Sequence, residues 1–382
     1  MTATFGHGLV VGKFYPPHRG HQYLIERAAT VCARVTVLVM AAGSETVALG
    51  DRVAWLQASC AGFPAVTVAG VRCDVPVDFG SEAIWAAQVA VMRAALEGNG
   101  RRPVDAVVSS EPYGDELAVR LGAKHVCVDP GRMNLPVSAS QIRADLAGCW
   151  DDLIAPARAG LAARVAVVGA ESTGTSAVAE LLAGEYRRRG GVWARTRCVT
   201  EAGRDYTVTK WQQARAEAAA AGRPDPPLDD LEWTPADFDA VAVEQTRREN
   251  QAAAAGSPLL VCDTDAFATS VWERRYTGGR ARGLQPWATT DLPRHDVYLL
   301  TSHDGVPWQD DGLREGDLAV RAAMTGWFAK ALTAAGHSWV LLTGSLADRL
   351  ALAMRVTEEV LARRAAFGPA ITDAALLGGT AQ

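Results

Sequence analysis

The sequence predicts an α/β protein made of two doubly wound parallel-sheet domains that follow one another along the chain. The chain has 382 residues, short apolar runs alternate with amphipathic stretches, and this pattern restarts near the middle. Parallel strands joined by crossover helices produce such an alternation, and the length exceeds that of one ordinary domain. We therefore expect domains over residues 1–157 and 160–366, joined near 155–163, and a disordered tail over 367–382.

The predicted elements of the first domain begin with the strand GLVVG (8–12) and the helix HQYLIERAATVC (21–32). Its further strands are RVTVLVMAA (34–42), VDAVVSS (104–110) and HVCVD (125–129). The strands of the second domain are RVAVVGAE (164–171), PLLVCDTD (258–265), DVYLLTS (296–302) and SWVLLTG (338–344). Each is a short apolar run that ends in turn or polar residues, as strands buried on both faces do.

Composition excludes several classes of protein. No apolar run reaches the roughly 18 to 20 residues that a membrane span needs, and the start of the chain does not resemble an export signal. The net charge is −5 without a block of basic residues, which argues against binding of nucleic acid. The 7 cysteines are scattered, with no CxxC pair. We expect reduced thiols and a cytoplasmic protein without membrane or nucleic-acid partners.

The segment GKFYPPHRGH (12–21) lies between the first predicted strand and its helix, at the carboxyl end of a parallel sheet, where ligands bind. His18 and His21 fall in the first helical turn, where free N–H groups and the helix dipole favour an anion. Imidazole donors there suit a triphosphate that is attacked at its α-phosphorus. Gly20 allows close approach of backbone and phosphate. The alternative for an isolated pair is two surface histidines at a helix start.

A second segment, VSASQIR (137–143), also precedes a predicted helix. Ser138, Ser140 and the helix-start N–H groups can hold phosphates, and Arg143 can supply positive charge. Taken alone, this segment is a plain helix cap. The candidate ATP contacts of the first domain are Gly12, Lys13, Phe14, His18, Gly20, His21, Ser138, Ser140 and Arg143.

Together these motifs resemble the (H/T)xGH and ISxTxxR motifs of the nucleotidylyltransferase superfamily. Within it, GKFYPPHRGHQYLIERA, SSEPYGDELAVRLGAKHVCVDPGR and VSASQIR resemble the bifunctional nicotinamide-nucleotide adenylyltransferases and ribosylnicotinamide kinases of the NadR type. The resemblance implies that Lys13, His18 and His21 line the ATP phosphates, with Ser140 and Arg143 completing the clamp. It also implies that Trp85 stacks on nicotinamide, a pyridinium cation; a core position for Trp85 stays open.

Arg52, in GDRVAWL, is a weaker candidate for the substrate, and a solvated surface arginine is the alternative.

The second domain carries a P-loop-like segment, GAESTGTS (169–176), between a predicted strand and a predicted helix. A P-loop cradles phosphates with backbone N–H groups, places a lysine on them and puts a hydroxyl on the metal ion. Here Thr175 stands at the lysine position, and Ser176 keeps the hydroxyl. The candidate loop contacts are Gly169, Glu171, Ser172, Thr173, Gly174, Thr175 and Ser176.

The missing lysine leaves two interpretations open. Either the domain is a degenerate nucleotide sensor, because losing one preorganised donor costs about 3 kcal/mol or more, or another cation fills the gap. Lys210, in EAGRDYTVTK, is our candidate for that cation, with a solvated helix lysine as the alternative.

Other polar residues of the second domain argue against a degenerate, inactive domain. Asp263 and Asp265 end a buried strand, where carboxylates are costly unless they hold a metal ion or accept a proton. The resemblance implies that Asp263 is the base for the ribose 5′-hydroxyl and, with Ser176, a metal ligand.

The resemblance also implies ribose or phosphate contacts for Glu201, Arg204 and Asp311, and nicotinamide stacking for Tyr206 and Trp308. Core packing of the two aromatic residues stays open. Arg314 is a candidate lid arginine on the ATP phosphates, or else part of a helix ion pair.

The resemblance thus implies a protein that joins ATP and nicotinamide mononucleotide into NAD and pyrophosphate, assisted by Mg²⁺. Its second domain would phosphorylate nicotinamide riboside. An adenylyltransferase with a non-catalytic nucleotide-sensing domain is the alternative, and a DNA-binding repressor is disfavoured because the chain starts at the first strand. A homo-oligomer stays open.

Overall fold

The computed structural model describes residues 3–98, 103–277, 294–308 and 318–371. It divides the chain into two compact units, one formed by Met1–Leu161 with Ala365–Gln382 and one by Ala162–Arg364. Both units are α/β folds with a five-stranded parallel sheet, as predicted. The finer domain limits stay predictions.

The sheet of the first unit has the strand order β3-β2-β1-β4-β5, with parallel pairing throughout. Its strands are β1 Gly8–Gly12, β2 Val35–Ala41, β3 Val66–Arg72, β4 Ala106–Ser109 and β5 Lys124–Cys127. Its helices are α1 Arg19–Val31, α2 Leu49–Ser59, α3 Glu82–Gly98, α4 Tyr113–Leu121, α5 Ala139–Ala144 and α6 Ala155–Leu161, with a 3₁₀ turn at Trp150–Asp152. The order reverses at β1 and β4, which opens a crevice at the carboxyl ends of these strands.

The second unit has the strand order β10-β9-β6-β8-β7, again parallel. Its strands are β6 Ala163–Gly169, β7 Arg197–Val199, β8 Leu259–Asp263, β9 Val297–Thr301 and β10 Trp339–Leu342. Its described helices are α7 Thr175–Arg187, α8 Ala202–Ala220, α9 Pro235–Ala255, α10 Ala266–Tyr276, α11 Leu318–Ala334 and α12 Leu346–Ala365, with 3₁₀ turns at Gly191–Arg195 and Leu228–Asp230. The carboxyl ends of the central strands β6 and β8 lie side by side.

Each unit buries its own core. Leu9, Leu38 and Val107 of the first sheet pack with apolar side chains of α3 and α4. In the second unit Val165, Val261 and Leu299 pack with side chains of α7 and α12. The largely apolar central strands are therefore covered on their faces by helices, which is what the sequence pattern predicts.

All eight predicted strands are present, but two more were missed. In β3 only the adjacent residues Val68 and Ala69 are buried, and Gly70 follows them, so that its apolar run is interrupted. β7 has 3 residues, fewer than periodicity can detect. Both are edge strands, which need fewer apolar side chains than central ones.

A C-terminal segment, residues 366–371, packs on the first unit. The Phe367 ring contacts that of Tyr15 edge-on at 5.6 Å, and the Tyr15 hydroxyl donates to the Gly368 carbonyl at 3.0 Å. The Gly368 N–H donates to Thr46 Oγ1 at 3.2 Å, and Ala370 is buried. These contacts differ from the disorder expected for 367–382; residues 372–382 lie outside the described part.

Among the described residues, no helix is long and apolar enough to cross a membrane. All seven cysteines carry free thiols, and Cys127 is exposed. The cytoplasmic location stays a prediction.

Candidate active sites

The first pocket lies at the carboxyl ends of β1 and β4 and brings the predicted ATP contacts together. Its wall contains every candidate from both first-domain motifs: Gly12, Lys13, Phe14, His18, Gly20, His21, Ser138, Ser140 and Arg143. Residues about 120 positions apart in sequence thus meet in one cavity. Ala370 of the C-terminal segment also lines it.

His18 and His21 are held by the start of α1. His18 is the N-cap: its Nδ1 accepts from the Gly20 N–H at 3.1 Å, while His21 Nδ1 accepts from the His18 N–H at 3.2 Å. The two rings stack with centroids 3.7 Å apart. A Cβ on Gly20 would lie 3.0 Å from the His18 ring, so glycine permits this close packing without a shift of the ring.

Both imidazoles are neutral at neutral pH. Burial, with a smaller effect of the Arg132 guanidinium, lowers the pKa of His18 to about 3. Burial also lowers the pKa of His21 well below its usual range, helped by His18 and Arg132. Because each Nδ1 accepts a backbone N–H, the proton of each neutral ring lies on Nε2. The pair therefore offers two Nε2–H donors without a fixed positive charge.

The second motif of this pocket is held by its own contacts. Ser138 caps α5 and forms a capping box with Gln141. Arg143 donates from Nη1 to the Tyr15 carbonyl at 2.7 Å and from Nη2 to Ser140 Oγ at 3.1 Å. Lys13 Nζ lies 3.8 Å from Glu45 Oε1. The cationic side chains thus have defined positions at the pocket wall.

The structure does not bring Trp85 and Arg52 into this pocket. Trp85 is buried in the core beside α4, and its Nε1 donates to the Phe79 carbonyl at 3.2 Å. Arg52 is completely buried and donates to Glu45 Oε2 at 2.6 Å and to the carbonyls of Lys13 and Val47. The alternative of a solvated Arg52 is therefore wrong, and the arginine supports the loop that carries Lys13.

The second pocket lies at the carboxyl ends of β6 and β8. Of the predicted residues, its wall contains Gly169, Glu171, Ser172, Thr175, Ser176, Glu201, Arg204, Asp263 and Asp265. Ser172 has φ 53° and Gly174 has φ 86°, which is the left-handed region. Thr173 lies beneath the loop, where its hydroxyl donates to the Ala170 carbonyl at 2.6 Å. The loop therefore has the sharply turned backbone that anion cradles use.

The two aspartates after β8 differ in their surroundings. Asp263 is buried and lines the pocket. Asp265 caps α10 by accepting the Ala268 N–H at 2.9 Å and accepts the Tyr298 hydroxyl at 2.7 Å. Burial raises the pKa of Asp265. These contacts give Asp265 a positioning role, and because it also lines the pocket, the substrate contact that we predict for it stays a prediction. Asp263 is the candidate base.

Lys210 has another partner than the P-loop. Its Nζ donates to Asp237 Oδ1 at 2.8 Å, beside the hydroxyl of Tyr206, which donates to the same oxygen at 2.6 Å. Burial acts to raise the pKa of Asp237, but these hydrogen bonds and those of Thr234 lower it well below its usual range. Among the described residues, the pocket wall includes neither Lys210 nor Tyr206. This geometry gives no support to contacts of Lys210 with phosphates.

Three further predictions concern the loop after β9. Trp308 is half-buried and is not among the described residues of the pocket wall. Asp311 and Arg314 lie outside the described residues.

The second pocket has an aromatic wall that the sequence did not predict, formed by Trp233, Trp272 and Tyr276. The Trp233 and Tyr276 rings stack with centroids 5.3 Å apart. Arg132, which lines the first pocket and acts on both histidines, was not predicted either. A tryptophan just before the helix start TPADFD was the available signal for Trp233; aromatic residues within a helix, such as Trp272, look like core residues.

Beneath the second pocket lies a buried polar cluster, which can be defined as Glu249, Cys262 and His295. Its possible ligand atoms lie within 4.8 Å of one another. His295 Nε2 is 3.2 Å from Glu249 Oε2, and its Nδ1 is 3.3 Å from Asp265 Oδ2. Arg164 Nη1 is 3.8 Å from Glu249 Oε2. Two cationic groups already face two carboxylates here, so we assign no metal ion to the cluster.

Comparison with known proteins agrees with this architecture. A model described as the citrate lyase ligase C-terminal domain matches residues 8–72, and one described as an AAA domain matches residues 164–349. The trifunctional NAD biosynthesis/regulator proteins NadR of Salmonella typhimurium and Escherichia coli are each 26% identical over 324 residues, covering 80% of this chain and 71% of theirs.

Two crystal structures share the fold. That of a NadR protein in complex with NR has a TM-score of 0.61 at 20% identity, covering 95% of this chain and 97% of that one. That of a NadR protein in complex with NAD and AMP-PNP has a TM-score of 0.57 at 17% identity, covering 94% and 98%.

Fold and sites together define a two-unit α/β protein in which a nucleotidylyltransferase-type pocket precedes a P-loop unit. The chain is similar to the NadR proteins along most of its length, and the resemblance inferred from its motifs is confirmed.

Proposed function

We propose that the first unit transfers AMP from ATP to nicotinamide mononucleotide, giving NAD and pyrophosphate. The observation that carries the proposal is the meeting of His18, His21, Ser140 and Arg143 in one pocket at a strand-to-helix corner. The similarity to proteins named for NAD biosynthesis supports the choice of acceptor.

The reaction needs no nucleophile from the protein. A phosphate oxygen of the acceptor forms a bond to the α-phosphorus of ATP, and the bond from that phosphorus to the bridging oxygen breaks. The two Nε2–H donors and Arg143 stabilise the charge that develops on the phosphate oxygens. The histidine pair donates in its neutral form near neutral pH, because burial lowers the pKa of His18 to about 3.

The second unit, in this proposal, phosphorylates nicotinamide riboside with ATP and so supplies the acceptor of the first. Asp263 accepts the proton of the ribose 5′-hydroxyl, whose oxygen then bonds to the γ-phosphorus while ADP leaves. Glu201 and Arg204 line the same pocket and suit the polar ribose. The aromatic wall suits the pyridinium ring.

Mg²⁺ is the metal ion we propose for both reactions. In the second pocket the residues present fit it, because Ser176 and Asp263 offer the hydroxyl and carboxylate oxygens that this ion prefers. When bound, the ion would neutralise charge on the transferred phosphates.

Two assays on the purified full chain test the proposal. With Mg²⁺, ATP and nicotinamide mononucleotide, we expect pyrophosphate and NAD in equal amounts. With nicotinamide riboside as sole acceptor, we expect ADP and nicotinamide mononucleotide first. Adenylyl transfer without ATP consumption on the riboside would favour the alternative, a nucleotide-sensing second unit. Absence of pyrophosphate in the first assay would contradict the proposal itself.

A further inference from the structure

Two buried arginines of the second unit hold the P-loop from the side of its carbonyl groups. Arg321 of α11 donates from Nε to the Glu171 carbonyl at 3.1 Å and from Nη2 to the Ser172 carbonyl at 2.7 Å. Arg349 of α12 donates from Nη1 to the Thr173 carbonyl at 2.9 Å. Three successive carbonyls of the loop therefore accept from guanidinium groups.

The two arginines have no ion-pair partner among the described residues. They are only 7% and 2% exposed; the Asp304 carboxylate acts on Arg349 from beyond ion-pair distance, and the two guanidinium groups repel each other. Their other hydrogen-bond partners are also backbone carbonyls, those of Val306, Gly344 and Asp304. Burial lowers the pKa of both side chains, yet arginine stays protonated in proteins. A buried cation without a carboxylate is costly unless an anion lies nearby.

The contacts also fix the direction of the loop N–H groups. In a trans peptide the C=O and the N–H of the next residue point in opposite directions. Arginines on the carbonyls of Glu171, Ser172 and Thr173 thus turn the N–H groups of Ser172, Thr173 and Gly174 to the opposite side. Backbone N–H groups are what a P-loop offers to phosphates.

From this arrangement we infer that Arg321 and Arg349 replace the missing P-loop lysine by acting through the loop. They fix three N–H groups and place positive charge behind the position of the phosphates. They are positioning residues, since they contact the loop and not the nucleotide. The inference rests on the proposed binding of ATP by the second unit and assigns the compensating charge to helices α11 and α12 instead of Lys210.

The test measures nucleotide binding at this loop on the full chain. Hydrogen exchange of the peptide covering residues 164–180, followed while AMP-PNP with Mg²⁺, ADP with Mg²⁺ or AMP is titrated, reports binding here and not at the first pocket. In Arg321→Met we expect AMP-PNP to bind about 10- to 100-fold more weakly and AMP less than about 2-fold more weakly, because the arginine acts on the outer phosphates. Arg321→Lys keeps the charge, and we expect an intermediate loss.

The matched control is Arg355→Met, which removes an exposed arginine of α12 and should leave all three affinities unchanged. Equal weakening of AMP and AMP-PNP in Arg321→Met, or unchanged AMP-PNP binding, would overturn the assignment. Absence of protection in the wild type would instead show that nucleotide binding by the second unit, and with it the proposed kinase, is wrong.

A second variant tests the inference even if Arg321→Met fails to fold. Thr175→Lys restores the lysine of an ordinary P-loop. If the two arginines already supply the charge, AMP-PNP binding should tighten less than about 5-fold. Tightening of 100-fold or more would mean that the native loop lacks a compensating cation, and would overturn the inference.

Discussion

The two pockets occupy equivalent places in their sheets but obtain their cations in different ways. In the first unit, the motif that forms the strand-to-helix corner itself carries a cation, Lys13, beside the neutral histidine pair. In the second, the corner provides only the backbone cradle, and the guanidinium groups come from residues 150 and 176 positions further along the chain. A local motif can therefore keep its backbone geometry while its charge is supplied from elsewhere in the fold.

The strongest test of this comparison asks whether the two reactions are separate. Asp263→Asn removes the candidate base, and we expect kcat for riboside phosphorylation to fall about 100- to 10,000-fold. Adenylyl transfer should keep its wild-type rate, since Asp263 belongs to the second pocket. Asp230→Asn, which changes an exposed aspartate of the same unit, is the control. An unchanged rate of phosphorylation in Asp263→Asn would show that Asp263 is not the catalytic base.

The reciprocal test changes the first pocket instead of the second. His18→Asn preserves a side chain that can cap α1 but removes one Nε2–H donor. Loss of a single preorganised donor typically lowers kcat about 100- to 1,000-fold, and we expect a fall of that size in adenylyl transfer alone. Steady-state release of pyrophosphate measures it. Arg27→Ala, at an exposed position of the same helix, should behave as wild type; a parallel fall there would point to disturbed folding of α1 instead.

The smallest expected effect is an opposite response of the two units to pH. His18 has a folded pKa of about 3, so below its ordinary value of about 6.5 only the unfolded chain takes up a proton. Through His18 alone the first unit should lose about 1 kcal/mol of stability between pH 7 and pH 5.5, and the lowered pKa of His21 adds to that loss. In the second unit, burial acts to lower the pKa of His295, but Glu249 and Asp265 raise it overall. The stability that His295 contributes to the second unit is therefore present at low pH and is lost as the pH rises through its raised pKa.

Hydrogen exchange of strand peptides from each sheet in urea at the two pH values separates the responses. The His18→Asn variant should weaken the pH dependence of the first unit, with His21 accounting for the remainder, and should leave that of the second unit unchanged. A first unit that is equally stable at pH 7 and pH 5.5 would contradict the neutral state of the buried pair.

The sequence predicts those features that depend on neighbouring residues. Apolar runs located the eight strands, and the first motif placed His18 and His21 correctly because a strand, a turn and a helix start determine their positions. Arg143 was a candidate from its own helix-cap segment, and the family resemblance linked that segment to the first motif, since helix-cap patterns alone are common. Lys210 shows the limit: its position on α8 is compatible with many partners, and packing against α9 selected Asp237.

Buried arginines are harder still to predict. Arg52 stands in the first turn of a helix, where exposure is usual, yet its contacts include the Lys13 carbonyl, 39 residues away. Arg321 and Arg349 lie in helices without a motif, and their function follows only from which carbonyls they meet. Non-local burial of a charge leaves no periodic trace in the sequence, because the pattern reports which face is apolar and not what a polar group contacts.

The return of residues 366–371 to the first unit has a consequence for biosynthesis. During translation the first sheet leaves the ribosome early, but one wall of its pocket, including Ala370, is synthesised only after the entire second sheet. Nascent chains therefore hold an incomplete first pocket until residues 366–371 have been synthesised.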